Sequence, residues 1–340
     1  MKKKQVTLLE LAKRLDLSPS TVSRALNGRH RISEETRNRV RALAEKLEYQ
    51  PNPSAKRLRE SKTYVLGVLV PEIAHDFFST AISGMEDVAM HSGYNLVICQ
   101  SHESVERENA TSGTLLFSRV DGLLFCPSQE TKDFDRYMSF LRKDIPVVFF
   151  DRFAQDFPAS RVVCDDVQGA KDAVSYLIEK GCRRIAHLAA PNFLSNSQDR
   201  LNGYLEAHKA AGISVHEDLI QHVKLDQDQT VSLTNALLNR KDPPDAIFCF
   251  NDYIAFDVMK IAKAKGLSIP QDLSIVGFSD SFPSSLTEPG LTTVRQPAFE
   301  MGKLATKLML DQLNKDGTDQ APTYQTIKLA TKLIIRGSTL

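Results

Sequence analysis

The chain has 340 residues, a length typical of two or three domains, and its composition is that of an ordinary globular protein. No apolar run approaches the length of a membrane span, and charged residues interrupt any signal sequence after the basic N-terminus, so we expect a cytoplasmic protein. The net charge of +1 conceals an asymmetry, because residues 1–62 hold 16 Lys and Arg against 7 Asp and Glu. A basic module on an acidic body predicts a polyanionic partner for the N-terminal part alone.

Two short helices joined by a tight turn are predicted within residues 7–27. Thr7 and Glu10 have the spacing of a capping box, which starts the first helix at the next residue. Ser18 is a suitable N-cap for the second helix, and Pro19 follows at the first helical position, where its missing N–H is not needed. The second helix directs its small and hydrogen-bonding side chains away from its apolar side: Ser20, Ser23, Arg24 and Asn27.

This polar face has the composition of a recognition helix for DNA. Small side chains allow close approach to the major groove, and Arg24 can donate two hydrogen bonds to a guanine edge. A short helical hairpin with a solvated polar face is the alternative. The surroundings favour DNA binding, because Lys2–Lys4 form a basic arm and Arg29, His30 and Arg31 form a loop suited to phosphate contacts.

A third helix, capped by Ser33 and ending before Pro51, closes a three-helix core. The basic segment that follows, residues 51–62, is too short to be a stable helix alone. It is either a plain linker or a hinge that becomes helical on DNA and inserts Leu58 into the minor groove.

From Tyr64 onward, apolar strand-like runs alternate with helices, which predicts an α/β fold with parallel sheets. The runs are too many for one ordinary sheet, so we predict two sheets. The terminal run Tyr324–Ile335 alternates more and is expected to be an edge strand. The five cysteines have no C-x-x-C spacing and are expected to be reduced core thiols.

Polar and aromatic residues collect where several of these strands end, the edge at which parallel sheets bind ligands. Carboxylates, an amide, a guanidinium and aromatic rings together suit a polyhydroxylated ligand. Each residue alone could instead be a helix cap or part of a surface ion pair. The chain has no phosphate-binding loop, nucleophile elbow or zinc motif, so we predict no enzymatic activity, no metal and no cofactor. The candidate ligand-binding residues are Phe77, Phe78, Asp151, Asn196, Arg200, Asn251 and Asp280, with Asp252 beside them.

The segments VTLLELAKRLDLSPSTVSRALNG and ISEETRNRVRALAEKLEYQPNPSAKRL resemble the DNA-binding head and hinge of the LacI/GalR family of bacterial transcription regulators. IPVVFFDR, IFCFND and LSIVGFSD resemble the effector domain of that family, which is similar to periplasmic sugar-binding proteins. The resemblance implies an N-terminal helix-turn-helix head followed by a two-lobed, parallel-sheet, periplasmic-binding-protein-like effector domain.

The expected domains are a head at residues 1–50, a hinge at 51–62 and an effector-binding and dimerisation domain at 63–340. Within the last of these, the first lobe is assigned to about 63–163 and 295–325, and the second to about 164–294 and 326–340.

The resemblance also implies roles for individual residues. Pro19, Ser20 and Arg24 occupy base-reading positions, and Leu58 matches a hinge leucine that intercalates at the operator centre. Ser279 stands where many members carry a pocket aspartate, and Asp280 follows it. The expected effector contacts are those named above without Asp252. The expected DNA contacts are Thr7, Ser18, Pro19, Ser20, Thr21, Ser23, Arg24, Asn27, Arg29, His30, Arg31, Asn52, Ala55 and Leu58.

The predicted function is a ligand-responsive repressor of carbohydrate-utilisation genes that binds a palindromic operator and responds to a sugar or sugar phosphate. A homodimer is expected, because the leucine heptads that make some members tetramers are missing. The alternatives are a global regulator controlled by a phosphorylated carrier protein and a purine-responsive repressor. A sugar-binding protein without a DNA role conflicts with the basic head, and a sugar isomerase or kinase lacks support from any catalytic motif.

Overall fold

The computed structural model describes residues 6–26, 32–47, 49, 62–315 and 323–340. The chain divides into two units, Met1–Thr63 and Tyr64–Leu340. The first unit contains helices α1 (Leu8–Leu15), α2 (Pro19–Leu26) and α3 (Glu34–Lys46). Their apolar stripes meet as predicted, in a small core of Leu11, Ala12, Val22, Ala25, Val40 and Ala44.

Side-chain caps start the helices of this head. Thr7 Oγ1 accepts a hydrogen bond from the Glu10 N–H at 3.2 Å, and Ser18 Oγ accepts one from the Thr21 N–H at 3.1 Å. The predicted capping box is only half formed, because the Glu10 carboxylate accepts a hydrogen bond from Arg14 at 2.7 Å instead of reaching back to the cap. An i,i+4 ion pair with Arg14 on the helix surface thus takes the place of the hydrogen bond that Glu10 would have accepted from the cap residue.

The described part of the second unit holds two six-stranded sheets. The first has the order β11-β5-β4-β3-β1-β2 with every neighbouring pair parallel, and its strands are β1 (Val65–Val70), β2 (Asn95–Gln100), β3 (Gly122–Phe125), β4 (Val147–Phe150), β5 (Ser160–Cys164) and β11 (Thr326–Leu329). The second has the order β12-β10-β9-β8-β6-β7, and its strands are β6 (Ile185–Ala189), β7 (Ile220–His222), β8 (Ala246–Cys249), β9 (Ser274–Ser279), β10 (Thr292–Arg295) and β12 (Lys332–Ile334). In this second sheet β12 runs antiparallel to β10, whereas the other neighbouring strands are parallel.

Helices cover both faces of each sheet, which buries the continuous apolar strands. The first sheet packs against α4 (Asp76–His91), α5 (Val105–Phe117), α6 (Met138–Leu141) and α11 (Ala298–Lys315). The second packs against α7 (Asp166–Glu179), α8 (Ser195–Ala211), α9 (Gln227–Leu238) and α10 (Asp252–Ala264). Short 3₁₀ turns occur at Asp135–Tyr137, Glu217–Leu219 and Phe282–Ser285.

The C-terminal segment contributes to both sheets, which differs from the prediction of one edge strand. Strand β11 pairs with β5 at the edge of the first sheet, and β12 pairs with β10 at the edge of the second. Residues 326–329 therefore belong to the first lobe, although the predicted boundary assigned them to the second. The chain passes between the lobes after β5, after β10 and again between β11 and β12.

The cysteines are free thiols, and Cys126, Cys164, Cys182 and Cys249 are buried, as expected of core residues. Burial raises the pKa of the Cys126, Cys164 and Cys249 thiols well above the usual value, which keeps them protonated.

Helices α4 and α11 cross with their backbones in contact, and glycine permits this approach. A Cβ atom on Gly302 would overlap the carbonyl oxygen of Ala81 in α4. We therefore expect Gly302→Ala to lower the free energy of unfolding by about 1–3 kcal/mol, because the helices must separate to admit the methyl group. Urea denaturation followed by circular dichroism measures this change.

A second glycine supplies the control. In α5, a Cβ atom on Gly113 would meet the far end of the Arg136 side chain, which can move aside. Gly113→Ala should therefore be neutral or stabilise by up to about 1 kcal/mol through higher helix propensity. Equal losses in the two variants would contradict the close-packing explanation.

Candidate DNA-binding and effector-binding sites

The outer face of α2 presents the side chains predicted to read DNA. Val22 and Ala25 are fully buried in the head core, which leaves Ser20 and Arg24 exposed on the opposite side. The described residues of the predicted DNA-contacting set are exposed or half-buried: Thr7, Ser18, Pro19, Ser20, Thr21, Ser23 and Arg24. A helix with one face packed on the core and the opposite face exposed can enter the major groove of DNA.

Hydroxyl groups brace the beginning of α2. Ser18 Oγ lies 2.9 Å from Ser20 Oγ and 2.8 Å from Thr21 Oγ1. The remaining predicted DNA contacts fall outside the described residues, as do the arm Lys2–Lys4 and residues 51–61. These contacts are Asn27, Arg29, His30, Arg31, Asn52, Ala55 and Leu58.

A cavity with about 50 Å³ of open space lies in the second unit, where strands of both sheets end. Asp151 directly follows β4, Asn251 follows β8 by two residues, and Ser279 is the last residue of β9. This is the position expected of a small-molecule site in an α/β protein. Of the seven predicted effector residues, the cavity brings six together: Phe77, Phe78, Asp151, Asn196, Arg200 and Asn251.

The Asp151 carboxylate is held at the cavity wall by amide groups. Its oxygens accept hydrogen bonds from Asn196 Nδ2 at 3.1 Å and from Gln296 Nε2 at 3.4 Å. Asp151 itself is 6% exposed and adopts a positive φ of 60°, which turns the chain sharply after β4. Asn196 Oδ1 is buried and has no hydrogen-bond partner among the described residues, so it can accept a hydrogen bond from a ligand.

The Arg200 guanidinium forms part of the wall but is already engaged by the protein. Its Nε and Nη2 donate to Asp166 Oδ1 at 3.2 and 3.1 Å, and its Nη1 donates to the Phe250 carbonyl at 2.6 Å. The guanidinium also lies 3.8 Å from the Phe278 ring centroid and 4.4 Å from that of Phe250. Burial raises the pKa of Asp166 to about 7, and the charge of Arg200 opposes this rise.

Asn251 has two roles at once. Its Oδ1 accepts a hydrogen bond from the Ile254 N–H at 2.9 Å, which makes it the N-cap of α10, and the residue still lines the cavity. The neighbouring Asp252 is fully buried and does not line the cavity. Its carboxylate accepts hydrogen bonds from Ser281, Ser284 and Thr293, and so fixes the loop after β9.

Asp280 is the one predicted effector residue that the structure does not bring to the cavity. Its carboxylate accepts hydrogen bonds from Arg295 Nε and Arg336 Nη2, both at 2.6 Å. Ser279 and Asp280 have positive φ values of 127° and 55°, and Ser279 and Ser281 line the cavity in place of Asp280. Asp280 is therefore a buried structural ion-pair partner.

Sequence reasoning missed seven polar or aromatic residues of the wall: His75, Glu103, Arg152, Phe250, Tyr253, Ser281 and Gln296. Arg152 donates to both carboxylate oxygens of Glu103 at 2.9 Å, and to the Pro127 carbonyl at 3.1 Å. The position of Arg152 directly after Asp151 could have suggested its location. Glu103 reaches the wall from the loop after β2, where no sequence pattern announces it.

Several contacts join the two lobes around the cavity, in addition to the hydrogen bond from Asn196 to Asp151. The His75 ring of the first lobe stacks on Tyr253 of the second, with ring centroids 4.1 Å apart. The Phe282 N–H donates to Asp76 Oδ2 at 2.6 Å, and the Leu225 N–H donates to Gln129 Oε1 at 2.7 Å. The lobes are thus closed on each other in this structure.

A buried histidine makes the stability of the second lobe sensitive to acid. His187 is fully buried in the core of the second lobe, where its ring stacks on Phe248 and Nδ1 lies 3.0 Å from the Phe248 carbonyl oxygen. Burial lowers the pKa of His187 to about 4. Below its ordinary pKa of about 6.5 the unfolded chain binds a proton that the folded chain rejects, so stability falls as the pH decreases.

We expect this histidine to remove about 2 kcal/mol of stability between about pH 7 and about pH 5. Urea denaturation at the two pH values, compared between the wild type and His187→Phe, isolates its contribution from those of the acidic residues. The same pH dependence in both proteins would show that His187 is not the titrating group.

Together these features define a class of protein in which a helix-turn-helix head accompanies a two-lobed, parallel-sheet unit with a ligand cavity between its lobes. Residues 7–52 match the family model for bacterial regulatory proteins of the lacI family, and residues 174–339 match that for a periplasmic binding protein-like domain. The chain belongs to the LacI/GalR family of bacterial transcription regulators. It is therefore a DNA-binding regulator of transcription and not an enzyme.

The similarity extends over nearly the whole chain. The HTH-type transcriptional repressor CytR of Escherichia coli (strain K12) is 33% identical over 333 residues, which are 98% of this chain and 96% of CytR. The lac repressor dimer bound to operator and the anti-inducer ONPF is 25% identical with a TM-score of 0.82, covering 99% of this chain and 100% of that one. The complex of the transcriptional regulator CelR with cellobiose is 28% identical with a TM-score of 0.74, covering 98% of this chain and 100% of that one.

Across the described ranges, no helix combines the length and the apolar character needed to cross a bilayer.

Proposed function

We propose that this regulator represses carbohydrate-utilisation genes in the cytoplasm, binds a palindromic operator as a homodimer, and responds to a small sugar bound between its lobes. The observation that carries the proposal is the cavity itself, where a carboxylate, amides and aromatic rings converge on a chain that also carries a recognition helix. Such a wall suits a molecule with several hydroxyl groups and one apolar face. The similarity to a regulator in complex with cellobiose supports the sugar class.

The proposed division of labour follows the chain. The head at about residues 1–50 reads DNA, with Arg24 directed at base edges and Ser18, Ser20 and Thr21 close to the groove. A hinge at residues 51–62 connects it to the effector domain at 63–340. Because a symmetric dimer presents two heads, its operator has two related half-sites.

The edge strand β2 supports a dimer surface on the first lobe. Val97 and Ile98 of this strand are each 43% exposed, although they belong to a sheet whose four central strands are largely buried. The helices beside it carry two more exposed apolar side chains, Met90 and Phe117, at 64% and 89%. Exposed apolar residues along a sheet edge favour burial against a second copy, as the similarity to a repressor dimer also suggests.

Effector control requires that the ligand distinguish between two arrangements of the lobes. The stacked pair His75 and Tyr253, and the hydrogen bonds of Asp76 and Gln129 to backbone N–H groups, stabilise the closed arrangement. A ligand that contacts Asp151 and Phe77 on one lobe and Asn196 and Asn251 on the other shifts the balance toward closure. That shift alters the spacing of the two heads in the dimer.

Fluorescence anisotropy of the full-length protein on DNA from upstream of its own gene tests the proposal. We expect sequence-specific binding whose affinity changes with at least one member of a panel containing D-ribose, D-xylose, D-glucose, cellobiose, adenine and adenosine. Equal affinity for upstream and random DNA would contradict the repressor function. Specific binding that only a phosphorylated carrier protein alters would replace the sugar with a protein partner.

A further inference from the structure

The charges that line the cavity are unevenly balanced. Among its wall residues the ionisable groups are two carboxylates, Glu103 and Asp151, two guanidinium groups, Arg152 and Arg200, and the imidazole of His75, together with the phenol of Tyr253. Which of these charges a ligand can meet depends on which are already paired inside the protein.

Both guanidinium groups are engaged by carboxyl groups of the protein. Arg152 is 5% exposed and makes a two-pronged ion pair with Glu103, with both distances 2.9 Å. Arg200 is 2% exposed and directs Nε and Nη2 to Asp166. A paired guanidinium offers little attraction to an anionic ligand, because its field is compensated at the distance of one hydrogen bond.

His75 does not supply a replacement cation. Its ring is sandwiched against Tyr253 at 4.1 Å and Phe78 at 6.4 Å, and this burial lowers its pKa below the usual value despite the nearby carboxylates of Glu72 and Glu103. The imidazole is therefore neutral at physiological pH.

Asp151 is the charge that remains. Its hydrogen-bond donors are the amides of Asn196 and Gln296, with the Cys126 thiol 4.0 Å away, and all three are neutral groups. The cation next to Asp151 in the sequence, Arg152, is paired with Glu103. At about pH 8, where Asp166 is ionised, the cavity therefore carries one uncompensated negative charge, on a side chain that is largely sheltered from water.

The hydrogen-bonding character of the wall points the same way. Asp151 can only accept hydrogen bonds, and Asn196 Oδ1 is a buried acceptor without a partner in the described part of the chain. The amide orientation is fixed, because Asn196 Nδ2 faces the carboxylate. One buried donor, Arg152 Nε, is also unpartnered. Acceptors on an anionic wall require a ligand that donates, as hydroxyl groups do and a phosphate dianion does not.

We propose that the effector carries hydroxyl groups and no negative charge, and that the cavity excludes phosphate monoesters of the same molecule. This inference rests on the proposed function only in taking the cavity as the effector site. It removes the sugar phosphate from the two ligand classes expected from the sequence.

Isothermal titration calorimetry on the full-length protein tests the proposal with matched pairs. D-ribose, D-glucose and adenosine are each compared with their phosphate monoesters at about pH 8, where Asp166 is ionised and Arg200 is fully paired. We expect the monoester of any binding compound to bind at least about 100-fold more weakly than the free compound. A monoester that binds as tightly as its free form would overturn the proposal.

A second experiment repeats the titrations with variants that remove one negative charge. Asp151→Asn keeps the shape of the wall. It should reduce the ratio of the affinity for the free compound to the affinity for its monoester by about tenfold or more. Asp172→Asn removes the same charge from an exposed position on α7 and should leave this affinity ratio unchanged. An unchanged preference in Asp151→Asn would assign the selection to another group and refute the charge argument. The proposed function fails separately, if a free compound that binds leaves the affinity for operator DNA unaltered.

Discussion

Replacing Arg200 with alanine should lower the free energy of unfolding of the protein by about 3–5 kcal/mol. The side chains of Arg200 and Asp166 are each 3% exposed, so the substitution leaves a carboxylate buried without its counter-ion. It also removes a hydrogen bond to the Phe250 carbonyl and two ring contacts of the guanidinium. Loss of the effector response in this variant would therefore follow from damage to the lobe as much as from a lost ligand contact.

Urea denaturation followed by far-ultraviolet circular dichroism measures the loss. The control is the pair Asp166→Leu and Arg200→Met in one chain, which removes both charges together. Because no charge is then left unpaired, the double variant should recover most of the lost stability. A single variant Arg200→Ala as stable as the wild type would show that the ion pair is not a structural element.

Replacing Arg24 with alanine should weaken operator binding by about 1–3 kcal/mol for each half-site, with a much smaller loss on random DNA. Arg24 is exposed on α2 opposite Val22 and Ala25, so its removal leaves the head core intact. The contrast between the two DNAs separates base reading from general attraction to phosphates.

Arg14 provides a matched control for this variant. It is also an exposed arginine of the head, but it lies on α1 and pairs with Glu10 at 2.7 Å. Arg14→Ala removes the same charge and should lower binding to operator and random DNA to a similar, small extent. Fluorescence anisotropy at fixed salt gives all the affinities, and a parallel loss on both DNAs in Arg24→Ala would refute its base-reading role.

The wall of the cavity was predictable where a residue directly follows a buried strand. Asp151 and Asn251 come after continuous apolar runs, and the carboxyl ends of parallel strands gather at one edge whatever the rest of the fold does. The helical period of the apolar residues was also enough to predict the core of the head, where Leu11, Val22 and Val40 meet as expected.

Side-chain direction was not predictable by the same reasoning. Asp280 also follows a strand, but two consecutive positive φ angles turn it toward Arg295 and Arg336. Arg336 lies 56 residues further along the chain, so no local pattern announces this partner. Glu103 does not follow a strand directly and was missed. Its place in the wall depends on a contact with Arg152, which lies 49 residues further along the chain.

The split of the C-terminal run between two sheets has the same origin. Its alternating pattern identifies an edge strand, but two sheets each offered a free edge, and the choice between them is made by tertiary structure. Local sequence does not determine which sheet a strand joins, since either pairing provides hydrogen bonds for the same backbone N–H and C=O groups.

The three passages of the chain between the lobes lie side by side, and this limits how the lobes can move. The Asp165 N–H after β5 donates to the Leu329 carbonyl at 2.8 Å, and Gln296 after β10 donates to Cys164 Sγ at 3.6 Å. Three adjacent tethers resist torsion of one lobe against the other and leave bending about a single axis as the soft motion. Gln296, which lies at one of these crossings, also donates to Asp151 in the cavity wall, so a molecule bound in the cavity lies next to the bending axis.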